Sequence, residues 1–504
     1  MLSVLPNEIV FHIFSFLSPS DIIRRARRVS RRFYGLSKER SLWLEVLRHC
    51  DYVLPLHVPL ASTGELEEKL LCGERVKKAW TAPRKVPPRR VLDFELGRGT
   101  HPMGMMGRYL VYRSHREPFD RVESPRYFWV DIEAKQLGRP SPVAQFDLHS
   151  EIEEYGVDSD FHQCRSFILS EENHALYVMF IQVDINTESG RTDLYLKLAS
   201  IDFIPSGHLK HKIHFSHPIG DEGLPSPLSV GHFIGPVPGC DYVAMHPWAD
   251  STLPIHLFSI STGKVVICPR HTKFLEAPQE ALTFDQVSCQ LSPRYLVQVH
   301  NANHIEIFQL PTPQELDEAA GTISAEKVYN IILPQQLGMQ PKCLPRPEIL
   351  FFSETSVLVL LAHENVIQTF DLDLSTIPKT TQLAAKDFNC RFIPREKYTW
   401  DHNSLSISLP SSRSVLGVTI CKRMGYDAEA PQVSVFGLWL GLWERVSMEK
   451  LGTELELPEW VGFGEFGFSL ISPNDAARGR LAFTTAYQLQ DGFLGPKVVV
   501  VDYV

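Results

Sequence analysis

Seven times between Arg108 and Val504 the chain passes through the same pair of apolar stretches. The first member of each pair leaves a turn: RYLVYR from Arg108, ALYVMF from Ala175, DYVAMH from Asp241, RYLVQVH from Arg294, SVLVLLA from Ser356, SVLGVTI from Ser414 and RLAFTTA from Arg480. The second follows closely: YFWVDI, LKLASIDF, IHLFSI, HIEIFQL, VIQTFDLD, QVSVFGL and KVVVVDY. Short runs of Val, Ile, Phe and Tyr bounded by Pro, Gly, Ser and Asp clusters read as strands. Several first strands follow an apolar residue and a serine: Leu169-Ser170, Leu291-Ser292, Phe352-Ser353 and Ile471-Ser472. The starts recur about every 50 to 70 residues, at or slightly beyond a propeller-blade period. A hairpin repeated in this way predicts stacked β units, for which a propeller is the usual closed solution. Seven hairpins predict seven blades. Six or eight blades, a sandwich pair or an irregular β array fit the same spacing.

One strand lacks a repeat of its own. RVLDFEL, Arg90 to Leu96, alternates apolar and polar residues, while the last strand, Lys497 to Tyr503, has no following chain to cover its edge. An open edge of unpaired backbone groups invites aggregation. Val91 to Leu96 is therefore expected to pair with the C-terminal strand, building one unit from both ends of the domain. The domain resembles divergent WD-type propellers in architecture; their Gly-His and Trp-Asp signatures are absent.

The first fifty residues differ in kind. Ile9, Ile13, Phe16 and Leu17 recur at helical spacing, and Val10 and Phe14 widen that apolar face. Pro6 and Asn7 stand at the helix start with Glu8 at its positive end. The run breaks at Ser18-Pro19-Ser20-Asp21, where Ser18 caps a second helix and Pro19 takes its first position. Ile22, Ile23, Ala26 and Val29 form the apolar side of that helix. Ser41 is placed to cap a third, carrying Leu42, Trp43 and Leu47. Three short helices bury too little surface to be robust alone, so their surplus of large hydrophobes meets either a partner helix or the rest of this chain.

This stretch resembles an F-box, the motif that docks substrate receptors onto the Skp-family adaptor of SCF ubiquitin ligases. The resemblance rests on Leu5-Pro6-Asn7-Glu8, Ile9, Ile13, Leu17, Asp21, Val29-Ser30-Arg31-Arg32-Phe33 and Leu42-Trp43. Phe33 stands where Trp is common in the family. The resemblance implies a small all-α F-box over residues 1–50, with adaptor contacts from Leu5, Pro6, Ile9, Ile13, Phe14, Leu17, Val29, Ser30, Phe33, Leu42 and Trp43. It covers about a tenth of the chain. Residues 51–90 read as a linker: a loop with Pro55, Pro59 and Gly64, a helix from Glu65 to Trp80 with Leu66, Leu70, Val76 and Trp80 on one side, and the basic spacer TAPRKVPPRR. Residues 91–504 form the β-propeller-like domain.

Motifs for covalent chemistry are missing. There is no GxxxxGK[ST], no GxGxxG set between strand and helix, no GxSxG elbow and no HExxH. The glycine-rich GRGTHPMGMMG, Gly97 to Gly107, lacks a lysine and reads as a flexible loop. His208, His211, His214 and His217 recur every third residue, but a strand splits them between two faces and no carboxylate interleaves, so an exposed strand or loop is expected rather than a metal site. The acidic stretch Glu151 to Asp160 reads as a solvated loop. Nine cysteines, scattered and never as CxxC, exclude a disulfide framework and a Cys-pair zinc site. A net charge of −9 gives no support to general nucleic-acid binding, and the arginines between Arg24 and Arg32 read as the solvated face of an amphipathic helix. No apolar run approaches a membrane span. The expectation is an intracellular, cytoplasmic or nuclear receptor without cofactor, metal, nucleic acid or membrane partner. It would hold a Skp-family adaptor, and through it cullin and RING subunits, and recruit a protein client with its β domain. An F-box scaffold that delivers no client, and a propeller hydrolase or lyase carrying an F-box, are the alternative readings.

Overall fold

The computed structural model describes residues 5–50, 52, 62–82, 84–96, 99–114, 126–134, 142–147, 161–170, 175–186, 191–204, 208–219, 230–234, 240–247, 254–269, 287–300, 304–319, 323–332, 347–351, 356–362, 366–375, 389–394, 406–407, 414–423, 432–441, 452–457, 468–470, 478–488 and 494–504. They form two compact units. One comprises Met1–Asp93, Tyr398–Ala486 and Val498–Val504, the other Phe94–Lys397 and Tyr487–Lys497.

The first unit opens with helix α1 (Asn7–Ser15). A second helical run follows as α2 (Pro19–Asp21), a π-helical turn (Ile22–Ala26) and α3 (Arg27–Val29). Then come α4 (Arg31–Leu36), α5 (Arg40–His49) and α6 (Thr63–Trp80). Ser18 caps as expected, accepting a hydrogen bond from the Asp21 N–H. Two caps went unread in the sequence: Ser30 accepts from the Phe33 N–H, and Ser62 forms a reciprocal capping box with Glu65. Ser41 does not cap; α5 begins one residue before it, after Glu39.

Helix α6 belongs to two cores at once. Leu66 and Leu70 lie among Val10, Phe14, Leu42 and Trp43. About two to four turns later Val76 and Trp80 lie among Leu455, Leu481, Phe483, Val499, Val501 and Tyr503. Trp80 meets the Tyr503 ring edge-on, centroids 6.0 Å apart. The stretch read as a spacer is tied down as well. The carbonyl of Val86 accepts from the Glu456 N–H at 2.9 Å, and the Arg89 N–H donates to the Asp502 carbonyl at 2.8 Å. Proline here sets an extended backbone that runs along neighbouring strands instead of a free tether.

The strands fold into seven sheets among the described residues. Five lie in the second unit. They are β2–β5 (Thr100–Met106, Tyr109–Ser114, Arg126–Asp131, Ala144–Asp147); β6–β9 (Phe161–Ser170, Ala175–Asn186, Arg191–Ile204, His208–Ile219); and β10–β13 (Val230–Ile234, Tyr242–Pro247, Ile255–Ser259, Val265–Cys268), joined in parallel by β17 (Ile323–Ser324). Next is β14–β15–β16–β18 (Val287–Leu291, Tyr295–His300, His304–Gln309, Glu326–Ile332), with helix α7 (Pro313–Glu318) after β16, followed by β19–β22 (Pro347–Phe351, Ser356–Ala362, Val366–Asp373, Asn389–Pro394). First strands neighbour first strands: β2 lies beside β6, β6 beside β10, β10 beside β14 and β14 beside β19. That succession of antiparallel meanders is propeller-like. The sixth sheet, in the first unit, is β23–β26 (Ser406–Ile407, Ser414–Arg423, Gln432–Gly441, Gly452–Leu455). Every hairpin read from the sequence forms the second and third strands of a sheet; β3–β4, β15–β16 and β24–β25 are examples. The Ser292 turn carries its own bonds, Ser292 Oγ accepting from the Tyr295 N–H at 2.9 Å.

The remaining sheet runs β1–β29–β28–β27, with β1 at Arg90–Glu95, β27 at Phe468–Leu470, β28 at Arg480–Gln488 and β29 at Leu494–Asp502. The strand expected at Val91 to Leu96 thus pairs with the C-terminal strand. Besides the Arg89 bond, the Leu96 N–H donates to the Pro496 carbonyl at 3.0 Å. Near the end of this sheet Gly479 has φ +72°, and a Cβ there would collide with the Val504 side chain, so the position favours glycine.

One expectation fails. The glycine-rich stretch before Arg108 forms strand β2 over Thr100–Met106, in place of a flexible loop. Its methionines Met103, Met105 and Met106 are buried, and the register shifts between Pro102 and Gly104. Glycine there admits a bulge; composition masked the alternation. The acidic stretch Glu151 to Asp160 lies outside the described residues. The histidine-rich run is strand β9, the outer strand of its sheet. Among the described residues no group of His, Cys, Asp or Glu is placed to hold a metal ion, and no helix is long and apolar enough to cross a membrane.

Candidate protein-docking surface

Helix α1 has two apolar sides, and the fold uses only one of them. Val10 and Phe14 turn inward with Ile22, Ala26, Phe33, Leu36, Leu42, Trp43 and Val46. Phe14 meets Phe33 edge-on at 5.3 Å. A polar node locks this core to α6. Arg27 donates to both carboxylate oxygens of Glu67, at 2.7 and 2.6 Å, and to Ser37 Oγ at 2.8 Å, while its guanidinium lies over the Trp43 ring. Trp43 Nε1 donates to the Ser37 carbonyl at 3.0 Å. The Arg27 hydrogen bonds hold the Glu67 carboxyl below the usual carboxylate range against the opposing effect of burial. Nearby, the Ser20 N–H and Oγ donate to Glu74 at 2.9 and 2.7 Å. Burial alone would raise the Glu74 carboxyl, but the bonds from Lys78 and Ser20 outweigh it and the group sits low.

The other side of α1 faces outward. Ile9 is 47% exposed, Ile13 40%, Phe16 66% and Leu17 36%. Pro6 is exposed at its head. On the following helices Val29 is 67% and Tyr34 54% exposed. Arg32 holds the two groups together, donating to the Leu5 carbonyl and, at 2.7 Å, to Asn7 Oδ1. Phe16 is flanked by His12 and His49, ring centroids 5.0 and 5.3 Å away. Beside this strip a groove of about 380 Å³ opens between α1 and α5, lined by Glu8, Phe11, His12, Ser41, Leu44, Glu45 and Arg48.

The residues that the resemblance assigned to adaptor contact therefore divide. Pro6, Ile9, Ile13, Leu17, Val29 and Ser30 are exposed and Leu5 is half-buried. Phe14, Phe33, Leu42 and Trp43 are buried in the helical core and hold the surface without forming it. The physical reason is packing: a helix with two apolar sides gives one to its own module, and aromatic bulk goes inward where area is largest. Phe16, Tyr34 and the groove residues were absent from the assigned set. Phe16 was legible, lying seven residues after Ile9 on the same helical face; the groove needs the α1–α5 pairing, which no local pattern specifies.

A smaller concavity of about 340 Å³ lies in the second unit, with Tyr242 and Leu310 on its floor and Pro293, Arg294, Tyr295 and Pro313 around it. Tyr242 donates to the Pro311 carbonyl at 2.8 Å, and burial pushes its hydroxyl well above the ordinary tyrosine range.

Residues 2–49 match the family model for F-box-like domains. No curated protein matches the chain. Solved structures similar to it include the β-propeller domain of Cps50 (Swd1) from Myceliophteria thermophila, at 12% identity, TM-score 0.39, covering 82% of this chain and 98% of that one. BamB from Moraxella catarrhalis is similar at 9% identity and TM-score 0.30, covering 82% and 98%. Oligopeptidase B from Trypanosoma brucei is similar at 12% identity and TM-score 0.37, covering 77% of this chain and 45% of that one. The chain has an F-box-like N-terminus, and the succession of antiparallel meanders described above makes the rest a mostly β, propeller-like domain.

Proposed function

We propose that this chain is the substrate-recognition subunit of an SCF-type ubiquitin ligase, in which the outward face of α1 seats a Skp-family adaptor and the β domain recruits a protein client. One observation carries the reading. Seven large hydrophobic side chains are exposed among the described residues, and six of them (Ile9, Ile13, Phe16, Leu17, Val29 and Tyr34) fall within the F-box-like module. Clustered exposure of this kind marks a protein interface. F-box domains as a family bind Skp adaptors, and the adaptor brings cullin and RING subunits. In this reading the chain does no covalent chemistry; it raises the effective concentration of a client lysine near a ubiquitin thioester held elsewhere. Pro6, Ile9, Ile13, Phe16, Leu17 and Val29 make the direct contacts, and Phe14, Phe33, Leu42 and Trp43 hold them in place.

The test is binding of a purified Skp-family adaptor to the full chain and to Ile9→Glu/Ile13→Glu. The double variant should lose at least ~100-fold in affinity, as expected when buried anchors become charged, with an unchanged thermal melt. Equal binding by both proteins would exclude this surface. Adaptor binding without client ubiquitination in a reconstituted ligase would favour a scaffold that delivers nothing.

A further inference from the structure

The arginines after α1 were expected to form a plain solvated face, and the structure sets three of them apart. Arg27 is consumed by Glu67 and Ser37, Arg25 pairs with Asp21 at 3.2 Å, and Arg32 is bonded to Leu5 and Asn7. Arg24, Arg28 and Arg31 are exposed, and among the described residues none of them has an ion-pair partner. Their placement costs the fold something. Arg24 and Arg28 are four residues apart along the same helical run, Arg24 inside the π-helical turn and Arg28 just after it, so two like charges stand about one turn apart. Arg31 is the first residue of α4, at the positive end of that helix, where a cation is disfavoured. The chain as a whole is acidic, with a net charge of −9, so this concentration of positive charge runs against its own background.

The segment that carries these arginines is tied to the start of α1. Val29, 67% exposed, sits between Arg28 and Arg31, Tyr34 follows at 54%, and Arg32 fastens this segment to the start of α1. Arginine and tyrosine beside exposed aliphatics match the composition of interface surfaces.

We infer that Arg24, Arg28 and Arg31 form a second, electrostatic half of the docking surface, which receives an acidic segment of the adaptor. This rests on the adaptor reading given above. The apolar face of α1 supplies the buried contact; the arginine strip steers the approach and fixes the orientation.

The experiment compares the full chain with Arg24→Gln/Arg28→Gln/Arg31→Gln and with the corresponding triple lysine variant, measuring affinity and association rate for purified adaptor at low and high salt. Wild type should weaken as salt rises. The glutamine variant should bind about tenfold more weakly at low salt, mostly through slower association, and should approach wild type at high salt, where screening removes the difference. The lysine variant should keep most of the salt dependence, a recovery that general unfolding would not allow. Glutamine-variant binding equal to wild type at every salt concentration would overturn the inference and leave the adaptor reading standing, provided Ile9→Glu/Ile13→Glu still abolishes binding. If wild type itself fails to bind adaptor, both fall. Loss of capture by anionic vesicles or by RNA in the glutamine variant, with adaptor affinity unchanged, would assign the strip to another partner and also overturn it.

Discussion

The helical module and the β sheets treat their hydrophobic residues in opposite ways. In the sheets, alternation sends apolar side chains between layers: Val498, Val499, Val500 and Val501 are all at most 1% exposed, and Val143 alone among the described β-domain residues is a large exposed hydrophobe. In the module, α1 and the two residues after it carry apolar side chains around most of the circumference and leave four of them, Ile9, Ile13, Phe16 and Leu17, in solvent. A sheet stacked on both faces completes itself. A bundle of short helices does not, and it leaves part of its apolar surface in solvent. The same side-chain chemistry is thus buried in one region and left uncovered in the other, where the proposed docking face lies.

That contrast breaks most severely at the sheet joining the two ends of the β domain. Deleting Val498–Val504 removes four buried valines and Tyr503 and strips β1 of its neighbour. The expected outcome is loss of the cooperative melt and of β-rich circular dichroism, not a partial shift. Substitution of a single buried aromatic comes next. Trp43→Ala should cost about 3–5 kcal/mol and expose residues 5–50 to hydrogen exchange. Trp80→Ala should cost a similar amount but raise exchange around Leu455, Phe483 and Val499, because Trp80 lies in the other core. A fragment beginning at Val86 lacks Val76 and Trp80 altogether and should melt lower than one beginning at Ser62.

Glu67→Gln has a smaller effect with a pH signature. The Glu67 carboxyl is depressed in the folded chain, so its contribution is fully present above the unfolded carboxylate range and fades as pH falls through the lower folded value. Losing charge-assisted bonds to Arg27 should cost about 1–3 kcal/mol near neutrality. The gap between wild-type and variant melting temperatures should then close as the solution is acidified below about pH 4. A gap that stays constant would place the contribution in packing alone. Smallest in stability is Ile13→Ala, expected within about 0.5 kcal/mol of wild type yet impaired in adaptor binding. An equal loss in stability and binding would erase the distinction between the two regions.

Much of this was legible in the chain, and the illegible parts share a cause. The seven hairpins could be read because strand alternation and turn residues are local, and the β1–β29 pairing because one orphan strand matched one bare edge. The direction of Phe14 and Phe33 could not be read: helical spacing reports that a residue is apolar, not which of two apolar sides the module keeps. Helix α6 was visible as a helix, but its two allegiances depend on contacts more than 370 residues apart in sequence, from Trp80 to Leu455 and Tyr503. In β2, glycine content hid the strand because a bulge and an irregular loop have the same composition.

The pairing of β1 with β29 has a consequence for synthesis. Arg90–Glu95 leaves the ribosome about 400 residues before Leu494–Asp502, a delay of roughly 20–80 seconds at ordinary elongation rates. Throughout that interval α1 to α5 already have their complete core, Leu66 and Leu70 of α6 included, while Val76 and Trp80 wait for the strands that will cover them. The exposed apolar face of the helical module therefore matures first, long before the sheet that joins the two ends of the β domain is complete.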